Sequence, residues 1–357
     1  MSRNKKQTHG KIFNKLCEKA KESDRYQESI AQSRWLKTDG QKNSDCIIYS
    51  KIDYTFPISH HVICSLIAFR EEKYFVISGV SIDDSIYDFE MFKEPSEDIF
   101  DGLVTVVLAE LPIPLNNEFS SDEIALNILS DSKELLDDYK GHLTTDIQKC
   151  FVPFTMFDIT DSRFSIYQIA GIMLCKQTTK LLPFDEITIE KFEDIFNINN
   201  NSLPFENLVY ALYSVSWKHS FLETYRGIEN LYPVFAIKDA SKNLYDNLIE
   251  NGLNENQINL FNFYRLIIEN LGYKEKEMDT LNKIICFTGL NDIFDGNVKE
   301  KLGLSTKDHE IIYKVRCAIV HFSIFKKEVD FNKLDDSDWN NLIKGMLQII
   351  ESMYKII

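Results

Sequence analysis

Arg316 and His321 stand five positions apart in a segment, residues 313–322, whose other members are mostly apolar. The two side chains suit one chemistry in particular. RNA carries its own nucleophile, the 2′-hydroxyl, so cutting it requires a proton acceptor or donor near neutral pH and a cation for the crowded phosphate. Histidine, with an ordinary pKa of about 6.5, supplies the first. Arginine, through paired charge-assisted hydrogen bonds to phosphate oxygens, supplies the second. The bland alternative is a structural helix whose arginine pairs with an acidic neighbour and whose histidine caps a core edge.

An element must carry the pair, and the spacing predicts a helix over residues 307–324 with an apolar stripe through Ile312, Val315, Ile319 and Phe322. On an ideal wheel Arg316 and His321 lie about 140° apart, with Cys317 between them, so a single spot is beyond both. The pair either straddles a cleft on the Cys317 side or works with a symmetric copy on a second subunit.

Further helices are expected over 204–232, ending before Pro233, and over 238–250, 255–271 and 338–357. The last repeats Trp339, Leu342, Ile343, Met346, Ile349, Ile350 and Met353 at three- and four-residue steps, the mark of one buried face. The earlier chain reads differently. Residues 46–56, 61–69 and 73–80 look like strands of a hairpin-rich sheet, 103–109 and 151–159 like further strands, and 121–139 like a helix. The fold class expected is therefore α+β, with a mixed N-terminal domain followed by an all-helical bundle. The polar run Asn197-Ile198-Asn199-Asn200-Asn201-Ser202 marks the expected boundary, giving a basic arm over 1–44, a mixed domain over 45–196 and a bundle over 203–357.

The upstream helix adds a second signal. Phe221-Leu222, Tyr225-Arg226 and Ile228-Glu229, taken with the Arg316-to-His321 spacing and the tryptophan-led final helix, resemble the HEPN (higher eukaryotes and prokaryotes nucleotide-binding) superfamily, including bacterial anti-phage proteins of the ApeA kind. The resemblance covers roughly residues 203–357. It implies a helical bundle that forms homodimers and cuts RNA without a metal or other cofactor, as a toxin or an effector against phage. It assigns His321 as general acid or base and Arg316 as the scissile-phosphate ligand. Cys317, Glu229, Arg226 and Tyr225 become supporting residues, and Lys314 a further RNA contact. Glu229 either orients the pair or simply joins Arg226 three residues away. The segment departs from the pattern at Cys317, where a polar residue, often asparagine, is common, and at Ser323, where one toxin branch carries a modified tyrosine. A non-catalytic dimerisation or binding module is the alternative.

Composition sets limits on every reading. The chain has 357 residues, 44% hydrophobic and 27% charged, and a net charge of −15. Residues 1–42 hold eleven Lys and Arg against five Asp and Glu, a balance of +6, which leaves −21 on the remainder. That basic arm is either a polyanion contact or an amphipathic helix docked through Ile12, Leu16 and Ile30 on the chain's own acidic body. Seven cysteines without paired spacing read as reduced thiols, and no membrane span or secretory signal is recognisable, so a cytoplasmic protein is expected. The aromatic-rich N-terminal half reads as a sensor for a phage or regulatory ligand. A rival magnesium-dependent nuclease would use Asp53 with Glu71-Glu72-Lys73 across a hairpin, although the triplet is expected in the turn itself. His60 and His61 are expected on opposite faces of a strand.

Overall fold

The protein is an α+β chain of two compact units, Met1–Thr179 and Lys180–Ile357. The computed structural model describes residues 4–26, 34–129, 141–161, 163–200, 202–232, 277–303, 307–320 and 329–355. Among the described residues no helix is long and apolar enough to cross a membrane.

The first unit is built on a five-stranded antiparallel sheet of order β1-β2-β3-β5-β4, comprising Lys51–Pro57, Ile63–Phe69, Glu72–Ser78, Phe154–Ile159 and, at the edge, β4, Phe92–Lys93. The strands expected at 61–69, 73–80 and 151–159 are present. Cys46 and Ile47 instead end a helix, α2, Gln41–Tyr49, and the strand begins only at Lys51. A Cβ on Gly79 would lie 2.4 Å from the His61 carbonyl oxygen, and its φ is +74°, so only glycine lets β3 leave the sheet there.

Residues 103–109 are the clearest departure from the sequence reading. They lie within α3, Glu97–Glu110, and every residue from Gly102 to Ala109 is buried. A helix buried on all sides shows no amphipathic period, so its β-branched run is indistinguishable from a core strand by pattern alone. The expected helix over 121–139 begins as α4, Ser121–Glu123, which passes into a π turn at Ile124–Ile128; residues 130–140 lie outside the described set.

The basic arm is not a separate domain. Its helix α1, Lys5–Ala20, presents Ile12, Phe13, Leu16, Cys17 and Ala20 at helical spacing to the core of the first unit. Lys15 Nζ donates to the carbonyls of Leu108 (2.7 Å) and Leu111 (2.9 Å), capping the end of α3, while Lys11 pairs with Glu110. Ile30 lies outside the described residues. All seven cysteines are free thiols.

The second unit is helical. In chain order it contains α7, Glu186–Phe196; α8, Phe205–Leu212; α9, Trp217–Glu229; α10, Glu277–Thr288; α11, Gly296–Leu302; α12, Asp308–Val320; and α13, Asp336–Tyr354. Short helices α5, Thr144–Gln148, and α6, Ile166–Cys175, precede these in the first unit. The boundary falls before α7 rather than at 197–202. The reason is that Phe192, Ile195 and Phe196 are buried in the helical unit, with α7 packed against α13. Asn340 of α13 also accepts from the Asp185 backbone N–H, which opens α7.

Every residue of the stripe expected on the last helix, from Trp339 to Met353, is buried. Its polar neighbours are buried too and hydrogen-bonded: Asn340 donates to the Pro183 and Asp336 carbonyls, and Asn341 accepts from the Asp295 N–H. The single helix expected over 204–232 is broken between Leu212 and Trp217. There Ser214 bonds His219 and Val215 is left 79% exposed. The helices expected at 238–250 and 255–271 lie outside the described residues.

Candidate active site

Three helices of the second unit position Arg316. Ile311, Ile312 and Val315 are buried and fix one face of α12, leaving the Arg316 side chain 21% exposed toward α9 and the start of α10. Helix α9 is anchored from below by Phe221, Ile228 and Gly227, which approaches Ile350 of α13 closely. That seating turns Tyr225 and Glu229 toward Arg316.

The guanidinium meets two carboxylates. Arg316 Nη2 is 3.6 Å from Glu229 Oε1, and Nε is 3.4 Å from Glu277 Oε1, the first residue of α10. Its Cζ also stands 5.8 Å from the centre of the Tyr225 ring, within range of a cation–π attraction. Tyr225 in turn donates to Glu277 at 2.5 Å and shares a 2.7 Å hydrogen bond with Tyr232. Both ion-pair distances exceed those of well-formed hydrogen bonds, so the carboxylates hold the arginine by charge rather than by a bidentate fork.

Electrostatics follow from that crowding. Burial opposes the Arg316 charge, but Glu277, Tyr225 and Glu229 outweigh it and hold the guanidinium charged above its ordinary range. Burial pushes the Glu229 carboxyl up, and Arg316 pulls it back only in part. Tyr225 is pushed up by burial first and then by Tyr232 and Glu277. Tyr313, one turn before Cys317, is raised chiefly by its hydrogen bond to the Cys317 thiol.

Of the sequence-derived site residues, Arg316, Glu229, Tyr225 and Cys317 belong to one neighbourhood. Arg226 forms no ion pair with Glu229 and reaches it only through its charge, which helps lower the Glu229 carboxyl. Its guanidinium donates to the buried carboxylate of Glu223, which also receives Asn207 Nδ2 at 2.9 Å and lies 3.2 Å from His219 Nε2. Lys314 lies 3.6 Å from Glu310, one turn earlier on the same helix. His321, Phe322 and Ser323 lie outside the described residues, immediately after the last residue of α12. Sequence reasoning missed Glu277 and Tyr232. Tyr232 is close to the upstream segment, whereas Glu277 is remote from both motifs and reaches Arg316 only through tertiary packing.

Elsewhere, the rival metal site does not assemble. Asp53 lies at the irregular step of β1, while Glu72 and Lys73 begin β3, with β2 between the two strands. Strand spacing then separates the two backbones by about 10 Å. Only Glu71 occupies the turn, beside Arg70 with φ of 59°, so the triplet is not the turn as a whole. Nor do His60 and His61 occupy a strand: they lie in the β1–β2 connection with rings edge to face, centroids 4.9 Å apart. Among the described residues no three His, Cys, Asp or Glu side chains are grouped to hold a metal ion. Comparisons with known protein families, curated proteins and solved structures find no match to this chain.

Proposed function

We propose that the helical unit is a metal-independent RNA endonuclease of the HEPN kind. His321 acts as general acid or base and Arg316 as the ligand of the scissile phosphate. The observation that carries the reading is convergence: Tyr225 and Glu229, from the upstream segment that resembles the family, meet Arg316, from the motif, within one cluster. Nothing in the spacing of two segments so far apart in sequence requires that contact. In the reaction, His321 takes the 2′-hydroxyl proton, the 2′-oxygen attacks phosphorus, the bond from phosphorus to the 5′-oxygen breaks, and the imidazolium of His321 gives up its proton to the leaving oxygen. The products are a 2′,3′-cyclic phosphate and a 5′-hydroxyl. The enzyme works as a cytoplasmic homodimer in anti-phage defence or growth arrest, with the first unit as its sensor. Incubation of labelled single-stranded RNA and transfer RNA with the protein, followed by analysis of product ends, tests the chemistry: cyclic phosphate ends support it, and 3′-hydroxyl ends refute it.

One observation favours the second reading, a non-catalytic binding module. Arg316 is already matched by two carboxylates, and a phosphate approaching it must displace or outcompete Glu229 and Glu277. On the nuclease reading the same pairing is a resting state, in which the acids hold the arginine until RNA arrives.

A further inference from the structure

The two acids that meet Arg316 are held differently. Glu277 is clamped. Tyr225, 1% exposed within α9, donates its hydroxyl proton at 2.5 Å to Glu277 Oε1, the same oxygen that lies 3.4 Å from Arg316 Nε. A carboxylate only accepts, so the Tyr225 proton is committed there, and the 2.7 Å bond between the two tyrosine hydroxyls takes its proton from Tyr232. Hydroxyl donation to a charged oxygen is among the stronger hydrogen bonds of proteins, and this one is buried. Glu229 has no such clamp. It lies 3.6 Å from the other end of the guanidinium, at Nη2, its side chain is 36% exposed, and among the described residues no hydroxyl or amide holds its carboxylate. Burial raises that carboxyl above its ordinary range, the mark of an acid whose charge is incompletely compensated.

We propose that Tyr225 is a positioning residue of this site: through Glu277 it pins the Nε side of Arg316, which presents the Nη edge to the scissile phosphate and leaves Glu229 as the acid that the phosphate displaces. The inference rests on the nuclease reading and assigns a division of labour within its cluster. A phosphodiester offers two unesterified oxygens, and a guanidinium meets such a pair best through two parallel N–H donors. With Nε engaged by Glu277, that donor pair is Nη1 and Nη2. Taking Nη2 from Glu229 breaks one ion pair at the border of solvent, whereas taking Nε would disturb a carboxylate that Tyr225 and Tyr232 hold in line. Orientation rather than affinity is what the Tyr225 hydroxyl supplies. Glu277 repels the phosphate whether or not it is clamped, but unclamped it lets the guanidinium swing, and a misaligned phosphate ligand costs chiefly in the reacting step.

Steady-state and single-turnover cleavage of a labelled oligoribonucleotide by the full chain separates binding from chemistry. Tyr225→Phe keeps the buried ring and is expected to lower kcat about tenfold while KM stays within about twofold. Glu229→Gln is expected to lower KM instead. The loss in Tyr225→Phe should not add to the loss in Glu277→Ala, because the hydroxyl acts through that carboxylate. A second readout needs no activity: the Arg316 Nε–H resonance, assigned by its disappearance in Arg316→Lys, should shift and exchange faster with water in Tyr225→Phe. The proposal is overturned if Tyr225→Phe keeps the native kcat, if its loss adds in full to that of Glu277→Ala, if Glu229→Gln lowers kcat as Tyr225→Phe does, or if the Nε–H signal is unchanged. A native protein that cuts no RNA refutes the nuclease reading, and the Nε–H signal then decides the positioning claim by itself.

Discussion

At the residue scale the account turns on what surrounds one guanidinium. Arg316 is shared by two acids that reach it from different helices, and Glu277 is additionally held by the Tyr225 hydroxyl. Two negative groups beside one positive group leave the site short of positive charge, so a phosphate diester pays for entry in repulsion. Glu277→Gln keeps the shape and the Tyr225 hydrogen bond while removing one charge. It is predicted to raise affinity for single-stranded RNA several-fold in low salt, measured by fluorescence anisotropy; unchanged or weaker binding would show that Glu277 does not oppose the phosphate. Arg316 was legible in the sequence because a charged residue in a mostly apolar helix is costly without a use. Glu277 was not, because a glutamate at a helix start is ordinarily a solvated residue that complements the helix dipole. The Arg226–Glu229 pair, three residues apart, is a spacing that permits contact without compelling it. Tertiary packing gave Arg226 to Glu223, whose burial demands a cationic partner more strongly than the half-exposed Glu229 does.

Elements explain why some helices could be read and others could not. Helix α13 is amphipathic at the level of residue type, and its stripe is the core of its unit. Closeness of packing there sets a limit on size. A Cβ on Gly345 would fall 2.5 Å from Phe294 Cε1 and 2.6 Å from Ile293 Cγ2, both on buried side chains. Gly345→Ala is therefore predicted to destabilise the helical unit by about 1–3 kcal/mol, read as a shifted denaturation midpoint, despite alanine's better helix propensity. A neutral or stabilising result would mean that α11 and its preceding loop yield easily. Helix α3 hid from the sequence because it is buried all round, and the break between α8 and α9 hid because two serines and a valine there do not interrupt the apolar pattern on either side. Helix α1 carries a pH signature. His9 lies on its buried face with Nε2 lacking a hydrogen-bond partner, and burial, helped by Lys5, lowers its pKa to about 4. Since the folded pKa lies below the unfolded value, the unfolded chain binds the proton first. Stability contributed by His9 is present above about pH 6.5 and is lost as pH falls toward 4, by up to about 3 kcal/mol. Thermal melts from pH 7 to 4.5 should show this slope, and His9→Leu should flatten it; an equal slope in the variant would remove His9 as the cause.

For the whole molecule, the α+β class and the helical character of the second half were legible because composition shifts from β-branched and aromatic runs to helical periodicity along the chain. The boundary was not legible at its true place. A polar, asparagine-rich run looks like a linker, yet α7 before it is drawn into the helical unit by Phe192 and Phe196, and Asn200 itself donates to the Tyr354 carbonyl. The basic arm was readable as amphipathic, and its lysines are spent largely on the first unit's own acids and helix ends. On the nuclease reading, a chain of net charge −15 whose described N-terminal lysines are so engaged leaves RNA contact to the local cluster around Arg316. The central claim is that this cluster cuts RNA through His321 without a metal. Its most direct test is cleavage of labelled transfer RNA in excess EDTA by the native protein beside His321→Ala. The account predicts EDTA-resistant cutting in the native protein and a loss of at least about a hundredfold in the variant, the usual scale of a general acid or base. Equal cutting by both proteins, or cutting abolished by EDTA alone, would contradict it.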